Sequence, residues 1–420
     1  MFNKKKTDII VLGAGPVGLL AAHVLADRNM DFVLLDRGRR SNTHSYALAL
    51  HPDTMELLES IGLSDQVFER ARRLGKVAFY EGEERRAELD YSALTMRYPF
   101  LTVIGQAELE EILVDALVAK GHKPQWNHRV RFIEEEPDGL KVSVDRLAEG
   151  MTGYAMAHID MQIEKILEYH GHYLIGADGH ESLARRITRI AFPEVMPATD
   201  YAVFEFKTDA ELPDEMRLIV KGDKTHAVWP LPNGYSRWSF QVRPGEAPID
   251  SLAKDHLLVQ FGNRGFPLLD REHLDEFLAE NAPWFGGSIE HLRWRMMVRF
   301  EHRLAESFGK GRVWLAGDSA HMAPPAGILS MNVGMREAAD LVARLATGNE
   351  NPQRQTALAS YSEERLAEWK GLMDLERHLD QSGEADPWVL KHKDRLVGNI
   401  PASGDTLRAL LGQLHLTAAA

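Results

Sequence analysis

Gly13-Ala14-Gly15-Pro16-Val17-Gly18 spells G-x-G-x-x-G, and its flanks decide how much it constrains the fold. An apolar run, Ile9–Leu12, leads into it and reads as a buried strand. Pro16–Arg28 reads as a helix with proline at its first position, and Phe32–Leu35 as a second strand. A strand–helix–strand unit this short predicts a parallel pair. In such a turn the first glycine makes the tight bend. The second lets backbone approach a pyrophosphate, and the third lets helix pack on strand. The helix N-terminus then offers free N–H groups to phosphate. Asp36 closes the second strand roughly twenty residues on, where a carboxylate accepts ribose hydroxyls. The unit predicts a bound adenine dinucleotide touched by Gly13, Gly15, Pro16, Val17, Gly18, Asp36 and Arg37. The rival reading is a glycine-rich turn that only packs helix on sheet.

Two more stretches place a Gly/Asp pair after a strand. One is Leu174-Ile175-Gly176-Ala177-Asp178-Gly179, running on to Ser182 and Arg185. The other is Val313-Trp314-Leu315-Ala316-Gly317-Asp318, running on to His321 and Pro324-Pro325. The carboxyl edge of a parallel sheet is where ligands bind in such folds. The plain alternative for either aspartate is a helix N-cap, Asp318 capping a helix near Ala320.

Composition excludes several classes. The 420 residues carry a net charge of −13, which disfavours a phosphate backbone as partner. Without cysteine there is no disulfide, thiolate nucleophile or dithiol pair, so redox chemistry has to come from a bound cofactor. The eighteen histidines show no H-E-x-x-H spacing, so no metal is expected. No apolar run approaches the ~18 residues of a membrane span, and Ile9–Leu12 is too short for a signal-peptide core. A cytoplasmic protein is expected.

Elsewhere, Asp53–Ser60 and Ala107–Ala119 read as helices. Val77–Phe100 is strand-like, and Val130–Glu134 with Leu140–Asp145 reads as a hairpin. Gly150–Tyr169 is ambiguous, its Ile163–Tyr169 part open to helix. Tyr201–Lys207, Arg217–Lys221, Thr225–Leu231 and Tyr235–Val242 predict an antiparallel sheet. Arg312–Ala316 is a strand, a long helix follows Asn332, and Gln353–Leu379 and Leu407–Leu414 are helical. The last, with no basic cluster, is expected to dock rather than bind membrane.

These motifs together resemble the FAD-dependent monooxygenases of the p-hydroxybenzoate hydroxylase type, over roughly Asp8–Leu379. Asp178-Gly179 with Ser182 and Arg185 is similar to that family's DG motif. Gly317-Asp318 is similar to its GD motif, whose Asp holds the ribityl chain. Pro324–Gly327 and Asn332–Gly334 resemble the segment beneath the flavin ring, Met331 is a further cofactor-binding candidate there, and Gln106 resembles a flavin-contacting residue. The resemblance implies FAD as cofactor, and NADPH or NADH as a transient reductant, since a second G-x-G-x-x-G is missing. It implies a Rossmann-like α/β FAD-binding domain (1–75, 101–185 and 300–345). An inserted antiparallel-sheet substrate domain (76–100 and 186–299) and a C-terminal helical segment (346–420) complete the chain. It implies transfer of one oxygen atom of O2 to an aromatic or polyketide-like substrate through a flavin C4a-hydroperoxide.

Two departures stand out. Gly327-Ile328-Leu329-Ser330 replaces the family's Gly-Gly-Gln-Gly, and Tyr46, near His44, Arg39 and Arg40, stands where the family carries an arginine. The resemblance assigns no catalytic side chain. His226, Tyr235, Arg237 and Arg243 lie on or beside the sheet expected to roof the pocket, and Trp229, Trp238 and Phe240 line a pocket or fill core. His321 reads as structural. A flavin-dependent epoxidase, oxidase or isomerase is the enzymatic alternative. A non-catalytic binding protein on the same fold is the alternative of another class.

Overall fold

In the computed structural model the first glycine turn joins a five-stranded sheet. The structure describes residues 4–39, 48–152, 158–243, 258–261, 264–267, 269–347, 351–373, 379–381 and 383–418. The sheet runs Gly309–Lys310, Val313–Leu315, Tyr173–Gly176, Ile9–Leu12, Phe32–Leu35. The last four strands are parallel. Ile9–Leu12 is buried at every position, as a strand covered on both faces must be. The helix Pro16–Asp27 packs against Gln106–Ala119 and Leu329–Leu345. Parallel order puts Gly13, Asp36, Ala177 and Gly317 at one carboxyl edge.

A four-stranded sheet adjoins it, ordered Lys4–Lys6, His158–Gly171, Gly139–Thr152, His128–Glu136. The ambiguous stretch is therefore strand: Ile163–Tyr169 pairs antiparallel with residues of Gly139–Thr152, and cross-strand pairing overrides the local helical option. An eight-stranded sheet is built from His321–Met322, Glu290–Leu304, Glu194–Lys207, Tyr235–Val242, Lys224–Pro230, Glu215–Lys221, Lys76–Glu81 and Glu84–Asp90. Its back face carries Phe204, Phe206, Trp238 and Phe240, packed under Leu274 and Leu278 of the helix Arg271–Asn281.

The long helix begins at Leu329, so Asn332 lies in its first turn rather than ahead of it. The charged helix spans Asn351–Leu372, and Leu379 instead starts a short strand paired with Leu416–Ala418. The last helix, Gly404–Gln413, is docked: Leu410 and Leu411 are buried, and Gln413 exchanges two 2.8 Å hydrogen bonds with the backbone of Asp90. Arg40, His44 and Tyr46 lie outside the described residues.

Candidate active site

The carboxyl edge forms a cleft of about 540 Å3 lined by Gly13, Ala14, Gly15, Asp36, Arg37, Gln106, Asp178 and Gly179, with Trp126, His128 and Arg129 at its rim. Gly13 has φ +97°, and a Cβ there would sit 2.1 Å from the Ala177 carbonyl oxygen. Glycine thus lets the first two strand-end loops meet backbone to backbone. Gly15 differs: its φ is ordinary, and a Cβ would meet nothing within 4 Å. Its bare face opens a cradle at the helix N-terminus. Pro16 and Gly18 are buried behind it, and Val17 reaches across to Gly317. Asp36 accepts from the Ala14 N–H at 2.7 Å and the Gly38 N–H at 2.6 Å, which fixes its carboxylate beside the glycine turn. Arg37 is exposed and pairs with Glu181 at 3.4 Å.

The two motif aspartates have different surroundings. Asp178 accepts from the Ser182 hydroxyl (2.5 Å) and from the Leu183 and Ala184 amides (2.7 and 3.3 Å), so it braces the start of the helix Leu183–Thr188. Burial raises its pKa, and those hydrogen bonds hold the rise back. Asp318 is exposed and caps no helix; its short 3-10 turn begins after Ala316 with no side-chain cap. Desolvation by the surrounding protein raises its pKa, opposed by His321 and His180. Arg185 is buried and donates to the Ser319 and His180 carbonyls, both at 2.7 Å, tying the two aspartate loops together.

The segment after the second aspartate lines a separate, smaller cavity. Ile328 adopts the left-handed conformation (φ +48°) just before the helix Leu329–Leu345, an unusual place for a β-branched residue. The Asn332 side chain is fully used. It donates to the Ala49 and Ile328 carbonyls (3.0 and 2.9 Å) and accepts from the His51 N–H at 2.8 Å. Buried His51 reaches the Gly327 carbonyl at 2.9 Å, and burial pushes its pKa down to about 3. Met331 is buried alongside. Pro325, Ala326 and Ile328 then face the eight-stranded sheet across a cavity of about 40 Å3 walled by Tyr201, Trp229, Trp294, Phe300, Arg237 and Ser239.

Of the sheet residues singled out from sequence, Arg237 and Trp229 line this cavity. Trp238 and Phe240 are back-face core. His226 stands against Phe240 on that back face, its Nδ1 accepting the Gln241 N–H at 3.1 Å. Tyr235 binds His291 at 2.6 Å, and Arg243 pairs with Asp223 at 2.6 Å, both away from the cavity lining.

A model described as FAD binding domain matches residues 6–376. The chain belongs to that family. It is 26% identical over 367 residues to pentachlorophenol 4-monooxygenase of Sphingobium chlorophenolicum, covering 85% of this chain and 61% of the relative. It is 28% identical over 363 residues to 6-methylpretetramide 4-monooxygenase of Streptomyces rimosus, covering 86% and 59%. The chain thus spans about three-fifths of the length of these curated relatives. The structure of p-nitrophenol 4-monooxygenase PnpA from Pseudomonas putida DLL-E4 superposes with a TM-score of 0.70 at 20% identity, over 98% of this chain and 99% of that one, which shows the shared fold.

FAD is the cofactor, and the cleft fits it. Bare Gly15 and the helix N-terminus would take the pyrophosphate, and Asp36 the adenosine ribose. Asp318, an exposed carboxylate without a capping duty, would take the ribityl chain. Asp178 and Arg185 act by setting the loops that frame it. The motifs were visible in sequence; their support was not. Glu205, paired with Arg237 at 2.7 Å and with Arg293, sits in a plain strand. Glu337 sits in a plain helix, with three donors converging on it from distant segments. Only spatial neighbours distinguish either.

Proposed function

We propose that this chain is an NAD(P)H-dependent flavin monooxygenase that inserts one oxygen atom of O2 into an aromatic or polyketide-like substrate. The cavity between Pro325–Ile328 and the aromatic face of the sheet carries the reading: it is walled by four aromatic side chains, and its other side is the segment that follows the Gly317-Asp318 strand end. The relatives named above support it, acting by name on a chlorophenol and a pretetramide. Bound and reduced, FAD supplies the activation of O2. The chain's own residues do the rest. Tyr201, Trp229, Trp294 and Phe300 offer apolar area for a ring and exclude water. The N-terminus of Leu329–Leu345 turns a positive dipole end toward the flavin side. Arg237 is buried against Glu205, whose other oxygen pairs with exposed Arg293, and the Arg237 guanidinium lines the cavity where a substrate hydroxyl would lie. No side chain is assigned as general acid or base. Among the described residues no helix is long and apolar enough to cross a membrane, and a cytoplasmic place agrees with that.

The test is anaerobic reduction of the holoprotein by NADPH and by NADH across phenols and polyketides, followed by 18O2. A compound that speeds flavin reduction is expected to gain one 18O atom. If it returns unoxygenated, with the O2 recovered as hydrogen peroxide, the proposal fails.

A further inference from the structure

Glu337 is fully buried on the helix Leu329–Leu345, and the reading of the cofactor site leaves it without a task. Its two oxygens take three donors from two parts of the chain. Oε2 accepts the Gly317 N–H and His321 Nε2, each at 2.9 Å. Oε1 accepts the indole N–H of Trp369 at 2.6 Å, from the helix Asn351–Leu372. The His321 ring stacks on that indole, centroids 3.7 Å apart, and its Nδ1 has no hydrogen-bond partner. Burial alone would neutralise a carboxylate, yet His321 and the three donors hold this one below its usual range. A buried carboxylate so supplied is rigid, and leaving its donors unpaired is costly.

Gly317 is the residue before Asp318. It holds φ +67° with Val17 and Gly334 packed against it, so its amide direction sets where the Asp318 backbone goes. Among the described residues no hydrogen bond or ion pair anchors the Asp318 carboxylate. We infer that Glu337 is the positioning residue of the FAD site: through Gly317, His321 and Trp369 it aims Asp318 at the ribityl chain, and so makes FAD affinity depend on the helix Asn351–Leu372.

The test reads FAD retention, so it stands apart from substrate and turnover. Holoprotein is diluted, and the FAD dissociation constant follows from recovered flavin fluorescence. E337Q removes the charge and one acceptor, and is expected to weaken FAD about tenfold, one charged hydrogen bond's worth. In a D318N background the same change is expected to add almost nothing, because its effect runs through Asp318. L341A, on the same helix and fully buried, lowers stability by opening a cavity and is expected to leave FAD affinity nearly unchanged. Equal weakening by E337Q in both backgrounds, or no more than L341A gives, overturns the inference. If E337Q does not fold, W369F removes the indole N–H, at the cost of some buried ring volume, and keeps an aromatic ring beside His321. It is expected to weaken FAD a few-fold in the parent and not in D318N; a like loss in both, or no loss in the parent, overturns the inference.

Discussion

Two aspartates at neighbouring strand ends look alike in sequence and do different work. Asp178 spends its oxygens on Ser182, Leu183 and Ala184, whereas Asp318 caps nothing. Asp178→Ala is therefore expected to cost the apoprotein about 1–3 kcal/mol in chemical denaturation, a lost cap with buried amides left unpaired. Asp318→Ala is expected to leave that stability nearly intact and to weaken FAD ten- to a hundredfold, at about 1.5–3 kcal/mol per charged hydrogen bond. A D318A protein that keeps FAD as tightly as the parent would show the carboxylate idle. Buried His226 gives a pH signature. Its Nδ1 accepts a backbone N–H, and burial takes its pKa from 6.5 down to about 3. The unfolded chain binds this proton first on acidification, so the stability it contributes is complete above pH 6.5 and declines as pH falls toward 3. Between pH 7 and 5 the loss is about 2 kcal/mol from this one group. His226→Gln, which retains an acceptor for Gln241, is expected to flatten that slope in urea titrations at the two pH values; an unchanged slope would place the acid sensitivity elsewhere, His51 being the next candidate. None of this was readable from residue type, because a histidine on a half-buried strand faces pocket or core by the phase of a period-2 pattern, and Ala227 took the pocket side.

Elements were legible where local signals agreed. Pro16, the glycine turn and two apolar runs fix the strand–helix–strand unit to within a residue or so of its observed bounds. His158–Gly171 was not legible, since a long hairpin arm is specified by its partner Gly139–Thr152 and not by its own pattern. The helix Arg271–Asn281 was missed for a like reason: it is polar, and its few apolar side chains matter only because the sheet's back face waits for them. The start of Leu329–Leu345 shows how a departure from a family pattern is absorbed. Of the three replacing side chains, Ile328 alone lines the cavity. Leu329 is buried in the core, and the Ser330 hydroxyl accepts the Ala323 N–H at 3.2 Å. At about 40 Å3 the cavity is smaller than the about 150 Å3 known to hold a ring, so a substrate ring enters only when the walls move apart, and Ile328 is one of those walls. Ile328→Gly removes a left-handed β-branched residue and its bulk together. It is expected to keep FAD bound and to admit larger substrates, read as faster substrate-stimulated flavin reduction with bulky phenols. Unchanged rates across the panel would mean that the side chain does not gate the cavity. Ser330→Ala, by contrast, is expected to act on stability alone, by about 1 kcal/mol.

At the scale of the whole molecule, the C-terminal helices that sequence sets apart are tied both to the cofactor end and to the eight-stranded sheet. Tyr361 donates to the Leu315 carbonyl at 2.8 Å, Trp369 reaches Glu337, and Tyr91 binds the Pro401 carbonyl at 3.0 Å. Such contacts join segments tens to hundreds of residues apart, and no local pattern announces them. Four parallel strand ends and the Gly15 turn beside them would form one FAD site. It is tested most directly by titrating FAD into apoprotein of the parent and of Gly15→Val. A Cβ at Gly15 meets no protein atom within 4 Å, so the variant is expected to fold and melt like the parent apoprotein. Its side chain would occupy the space where the pyrophosphate lies. One FAD per parent chain, bound without a covalent link, is expected, with at least a hundredfold loss in the folded variant. A parent chain that takes up no FAD, or a folded Gly15→Val protein that binds it equally well, would contradict it.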